Sequence, residues 1–195
     1  MFQVGGCVFK RAATDDEIEQ IHRLNCRTFA LEIPQHADPG DGRLVDKFHD
    51  RNVYLIAVRE GKVIGMLSVH DQQPFSTASR LADSSVISRP GTNPLEVRLL
   101  AVEPGKRQGI VFAGLAWLVY LYCREHGYTH LFISGVEERL DLYRHIGFSP
   151  LGPAVLEGAA RFVPMIAIVD ELPGFHERFV RLWTKHKVET VSHLA

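Results

Sequence analysis

Cysteine is scarce in this 195-residue chain: Cys7, Cys26 and Cys123 are the whole set, odd in number and without a CxxC pair. That excludes a disulfide scaffold, signals no structural zinc site, and suits reduced thiols in a cytoplasmic protein. An excess of one charge is also missing, since 22 Lys and Arg stand against 23 Asp and Glu. No global field would hold a polyanion, so nucleic acid is not an expected partner. No stretch approaches the roughly 20 apolar residues that span a bilayer. The start Met1-Phe-Gln-Val-Gly-Gly-Cys7 lacks a basic segment followed by a long apolar run, so neither a membrane nor export is expected. Internal repeats and low-complexity tracts are absent. What is present is a 46% hydrophobic composition, enough for a well-buried core.

Residues 7–11 read as a short strand. Thr14-Asp-Asp-Glu17 has the pattern of a capping box, and Ile18, Ile21, Leu24 and Phe29 continue at near-helical spacing toward a stop before Pro34. Gln35 to Arg43 is loop chemistry, and a short helix is expected over Leu44 to His49. Asn52 to Arg59 and Lys62 to His70 predict two strands joined by a tight turn at Gly61. From Asp71 to Pro94 the composition turns to Ser, Pro, Gly, Asp and Arg, and so long an irregular stretch suggests a substrate-side lid. Leu95 to Val102 is strand-like. Gln108 to Glu125 is a long apolar-faced helix ended by Gly127; then come a strand at Thr129 to Ser134, a helix at Glu137 to His145, and a strand at Phe162 to Val169. This order predicts an α+β domain over 1–170, with a curved mixed sheet and helices on both faces. An amphipathic helical tail is expected over 171–195, with apolar residues at 175, 179, 180, 182 and 183.

The chemistry concentrates between a strand and a helix, at Lys106-Arg-Gln-Gly-Ile-Val-Phe112. Unpaired N–H groups at a helix start converge there and attract phosphate. Gly105 and Gly109 would let a pyrophosphate approach the backbone, while Lys106 and Arg107 add charge; the competing reading is an ordinary strand-to-helix turn. Tyr143 could face the same crevice. A phenol of pKa about 10 is a sensible general acid toward a departing thiolate of pKa about 8.5, although a tyrosine on such a helix also serves as core. Glu96 and Arg98 share a face of their strand. Glu96 would accept an amine proton or pair with Arg98, and Arg98 would orient a substrate carboxylate or neutralise Glu96. His126 and His130 are separated by Gly127 and a strand start, so they form no helical chelate, and no metal is expected. Cys123 lies within an apolar helix as a buried thiol, and Ser134 and His145 have no acid to complete a triad.

With these residues the chain resembles the GNAT superfamily of N-acyltransferases over most of 8–169. Leu99-Leu-Ala-Val-Glu-Pro-Gly-Lys-Arg-Gln-Gly-Ile-Val111 looks like that family's signature loop and helix, and Leu142-Tyr-Arg-His-Ile-Gly-Phe148 like its YxxxGF element. The resemblance implies a curved, mostly antiparallel sheet splayed near Leu99 to Ala101. Acetyl-CoA or another acyl-CoA would lay its pantetheine along Leu100, Ala101 and Val102. The amides of Arg107, Gln108, Gly109, Ile110 and Val111, with Lys106, would take the pyrophosphate. The implied reaction is N-acetyltransferase-like, an acetyl or other acyl group passing to the amine of a small molecule by direct attack. The early part of the chain is similar to the autoinducer synthases and N-acyl amino acid synthases, which sets Phe29 and Arg98 on the acceptor side. Those proteins expect Arg where Asn25 stands, Asp at His49 and Arg near Ser68, so S-adenosylmethionine is not the expected acceptor. A long-chain donor on acyl carrier protein and a non-catalytic acyl-CoA-binding module are the alternatives, and assembly as a monomer or homodimer is open.

Overall fold

The computed structural model describes residues 1–32, 36–105 and 109–172. Nine strands form one sheet: β1 (Phe2–Val4), β2 (Cys7–Arg11), β3 (Val53–Arg59), β4 (Lys62–His70), β5 (Pro94–Val102), β6 (His130–Val136), β7 (Ser149–Pro150), β8 (Val155–Glu157) and β9 (Ala160–Ile168). Their order is β1-β2-β3-β4-β5-β6-β9-β7, with β8 also on β9. Every pairing is antiparallel except β5 with β6. The mixed, mostly antiparallel α+β architecture expected from the sequence is therefore present.

Helices cover both faces because the central strands are apolar on both. Tyr54 and Ile56 of β3 pack with Ile21 and Leu24 of α1 (Asp15–Cys26), while Leu55 and Ala57 turn to the core under α2 (Ile110–His126). Alternating side chains of one strand thus serve two cores. The capping box closes α1: Glu17 N–H donates to Thr14 Oγ1 at 3.2 Å, and Thr14 N–H to the Glu17 carboxylate at 3.3 Å. The chain then widens into a π-helical turn over Arg27–Glu32, which buries Thr28 and Phe29. Helix α2 lies close on the sheet because a Cβ on Gly65 would come within 2.6 Å of Val111. It ends at Gly127, whose φ of 73° caps it in the left-handed region.

Three expectations need correction. No helix forms over Leu44 to His49; a 3-10 turn occupies His49–Arg51 instead. The Asp46 carboxylate accepts from the Phe48 N–H and the Asn52 side chain, a local bonding pattern that competes with helix. The 71–94 stretch is not irregular throughout, since it forms two 3-10 turns (Thr77–Arg80 and Ser84–Ser88) and packs Phe75 and Ile87 with Phe132. The helix expected from Glu137 begins as a 3-10 turn and becomes α3 only over Leu140–His145. Strands β1, β7 and β8 were not expected. The tail helix proposed for 175–186 lies outside the described residues.

Candidate active site

The sheet opens along β5. That strand pairs with β6 only over Pro94–Glu96, opposite His130–Phe132, while β6 continues to Val136 on its other partner, β9. Beyond Glu96 the two strands diverge, leaving backbone edges that face each other across a notch. A bulge on the β4 side accompanies this: Met66 pairs with Ala101 and Ser68 with Arg98, so Leu99 and Leu100 together oppose Leu67. Leu99 has φ of 55°, unusual for a residue with a branched side chain. The splay that the sequence places near Leu99 to Ala101 is there.

A cavity of about 740 Å³ fills the notch and runs through to the other face. One lobe is apolar, with Leu131, Ile133, Phe112, Ala116, Val119 and Phe148 among its lining. The other carries the polar groups Asn25, Thr28, Asp46, Ser76, Arg80 and Arg98 beside apolar Phe29 and Leu44, and is called the polar lobe. Tyr143 lines the cavity from α3. Its ring rests on Gly135, where a Cβ would stand 2.7 Å from the ring, so the absent side chain makes room for the phenol. Burial pushes the Tyr143 hydroxyl above its ordinary pKa, and a backbone hydrogen bond with Val136 works against that rise.

Glu96 anchors the polar side and is fully buried. One oxygen accepts from Ser76 N–H at 2.9 Å and faces His70 Nε2 at 2.9 Å. The other accepts from Ser76 Oγ at 3.0 Å, Thr77 N–H at 2.6 Å and Thr77 Oγ1 at 2.5 Å. Burial raises the Glu96 pKa, yet the bonds from His70, Thr77 and Ser76 outweigh it and hold the carboxyl at about 2. Arg98 does share its face, with Nε 3.8 Å from the carboxylate. The main partner of Arg98 is Asp46, bound through both terminal nitrogens at 2.7 and 3.2 Å, while Nε donates to Ser76 Oγ at 3.1 Å and the guanidinium lies 4.6 Å from the Phe48 ring centre. Burial raises the Asp46 carboxyl and the Arg98 guanidinium more than offsets it, so Asp46 stays ionised. Arg80 closes the network, donating to Ser134 Oγ at 3.1 Å and pairing with Glu157.

Of the residues named from sequence, Phe29, Arg98, Leu100, Val102 and Tyr143 line the cavity. Glu96 sits just behind Ser76. Ala101 is buried in the core under α1 rather than exposed to the notch. The Val111 side chain packs inward on Gly65, so only its backbone is presented at the start of α2. Among the described residues the first intrahelical bond there runs from Ala113 N–H to Gly109 O at 2.9 Å. Lys106, Arg107 and Gln108 lie outside the described residues. Cys123 is buried and its thiol is pushed up to about 12 by desolvation, an inert group. Sequence reasoning missed His70, Thr77 and Arg80. Antiparallel pairing of β4 with β5 would have found the first, because His70 stands opposite Glu96.

A splayed sheet with an open strand edge, an apolar lobe and a tyrosine at its rim defines an acyltransferase of the GNAT kind. Residues 21–167 match the family described as N-acyl amino acid synthase FeeM, and the chain belongs to that family. Solved structures agree on the fold. A CoA-dependent acyl-homoserine lactone synthase, BjaI, with SAM and isopentyl-CoA, superposes with a TM-score of 0.73 at 19% identity over 90% of each chain. FeeM from uncultured soil microbes, an N-acyl amino acid synthase, gives 0.68 at 15% identity over 85% of this chain and 92% of its own. An acyl-CoA N-acyltransferase from Pseudomonas aeruginosa gives 0.59 at 16% over 86% and 99%. A sequence comparison with curated proteins returns no match. Among the described residues no helix is long and apolar enough to cross a membrane, and no group of three or more His, Cys, Asp and Glu could hold a metal ion.

Proposed function

We propose that this acyltransferase moves an acyl group larger than acetyl from coenzyme A to the amine of a small molecule by direct attack. One observation carries the reading: the apolar and polar lobes are parts of a single cavity with Tyr143 on its wall. The apolar walls at Leu131, Ile133, Phe112 and Phe148 suit an acyl chain longer than acetyl. The edge of β5 beyond Glu96, where its pairing with β6 ends, suits the pantetheine amides at Leu100 to Val102, which would add as a short extra strand. The start of α2 at Ile110 and Val111, beside Gly109, suits the pyrophosphate, and Lys106, Arg107 and Gln108 are proposed to add to that site.

In the reaction the neutral amine nitrogen attacks the thioester carbonyl carbon. The C–N bond forms, the C–S bond breaks, the amine releases a proton to water in the polar lobe, and the Tyr143 hydroxyl protonates the departing thiolate. A raised phenol pKa keeps Tyr143 in its acid form at neutral pH. Of the two roles open to Glu96, the saturated carboxylate with its lowered pKa favours positioning over general base catalysis. It fixes Ser76, and through Ser76 the Arg98 guanidinium.

Titration with octanoyl-CoA by calorimetry, followed by a thiol-release assay across a panel of amines with mass detection of the product, tests the reading. Tight binding and an N-octanoyl product are expected. Absence of binding at millimolar octanoyl-CoA, or use of acetyl-CoA alone, would refute it.

A further inference from the structure

Among the buried side chains of the described residues that line the cavity, Asn25 alone has two polar atoms both left without a partner. The residue is 1% exposed and lines the polar lobe, yet neither Oδ1 nor Nδ2 makes a hydrogen bond. A buried amide in that state costs roughly 1–3 kcal/mol. Arg98 is committed to Asp46 through both terminal nitrogens. Thr28 lies three positions on, along the same wall, and Phe29 follows it.

We propose that Asn25 selects the acceptor, and that the acceptor presents a neutral carboxamide to it. This rests on the acyltransfer reading above. A planar amide carries one acceptor oxygen and N–H donors side by side, so a second carboxamide satisfies Oδ1 and Nδ2 together. The match holds whichever way the Asn25 amide is turned, because both groups flip their pattern alike. A carboxylate fits poorly: it would accept from Nδ2 but bring a second acceptor against Oδ1. A purely apolar group would leave both atoms unpaired. Sites built to hydrogen-bond a buried polar group reject analogues that cannot pair by factors far above those a methylene can produce.

Two sources of a carboxamide are chemically open, the terminal amide of an amino acid amide and the side-chain amide of glutamine. The test uses octanoyl-CoA as donor with four amines in matched pairs, L-leucinamide with L-leucine and L-glutamine with L-glutamate. For one pair, the amide is expected to exceed the acid by at least tenfold in kcat/KM, and that pair names the source. Asn25→Leu, close in volume, should collapse the ratio toward one while KM for octanoyl-CoA stays unchanged. Asn25→Asp, which keeps shape and loses the donor, should lower the ratio as well; circular dichroism confirms that both variants fold. Equal use of amide and acid by the unmodified protein, or an undiminished ratio in Asn25→Leu, overturns the proposal. If no amine releases thiol, acyl transfer itself has failed. The carboxamide inference is then read separately by calorimetry with L-leucinamide and L-glutamine, where binding lost in Asn25→Leu upholds it and binding equal to that of the acids rejects it.

Discussion

The two lobes of the cavity draw on the same strand, β5, and are held in opposite ways. The apolar lobe depends on packing, in which Leu131, Ile133, Ala116 and Val119 set a shape by volume alone. The polar lobe depends on a chain of hydrogen bonds, from His70 and Thr77 through Glu96 and Ser76 to Arg98 and Asp46. Packing errors are graded and spread over neighbours, whereas a buried network with one member removed leaves the others unpaired. The difference teaches where each kind of specificity resides. Acyl length is adjustable by single residues, and the acceptor side is close to all-or-none.

The largest test of that contrast is Glu96→Ala. Removing a buried, ionised carboxylate from its donors is expected to cost about 3–5 kcal/mol, lowering Tm by roughly 10 °C in a thermal melt. The same group gives the acid limb of stability. Its folded pKa of about 2 lies below the ordinary 4.5, so its contribution is complete above pH 4.5 and is lost as pH falls toward 2. Roughly 3 kcal/mol is at stake over that interval, and Glu96→Gln should flatten the profile in urea titrations between those pH values. Asp46, also held low by Arg98, acts in the same direction.

Tyr143→Phe comes next. Loss of a general acid predicts a fall in kcat of about 10²-fold with little change in Tm, measured by thiol release under saturating octanoyl-CoA. A smaller effect is expected in the apolar lobe, where Ala116→Phe should favour butyryl-CoA over octanoyl-CoA by roughly tenfold in kcat/KM. If that substitution instead abolished activity on every donor, the graded character claimed for this lobe would be wrong. Smallest is Thr14→Ala, remote from both lobes, which removes the cap of α1 at about 1 kcal/mol and should leave turnover unchanged.

Much of the apolar framework was legible in the sequence because periodicity reports burial. The β3–β4 hairpin, β5, α2 with its Gly127 cap and β6 all stand close to where their patterns set them. The polar lobe was far less legible. Ser76 and Thr77 sit in a Ser-rich stretch with no period, and only their pairing with Glu96, twenty and nineteen positions away, gives them meaning. The short edge strands β1, β7 and β8 hold two or three residues each, too few for alternation to register. Leu44 to His49 misled because its composition permits a helix, while the bonds that compete with one come from the Asp46 side chain, which takes the Phe48 N–H and the Asn52 amide.

The bulge at Leu99 also acts as a change of phase along β5. Before it, the even-numbered Glu96 and Arg98 face the α1 side and odd-numbered Leu95 and Val97 join the core under α2. After it the parity reverses, with Leu99 and Ala101 on the α1 side and Val102 under α2. One extra residue is therefore absorbed locally, shifting the count by one while each half of the strand keeps its faces. Deleting Leu99 would close the bulge and leave both halves facing as they do, because Ser68 and Met66, the partners of Arg98 and Ala101, already stand two apart on β4.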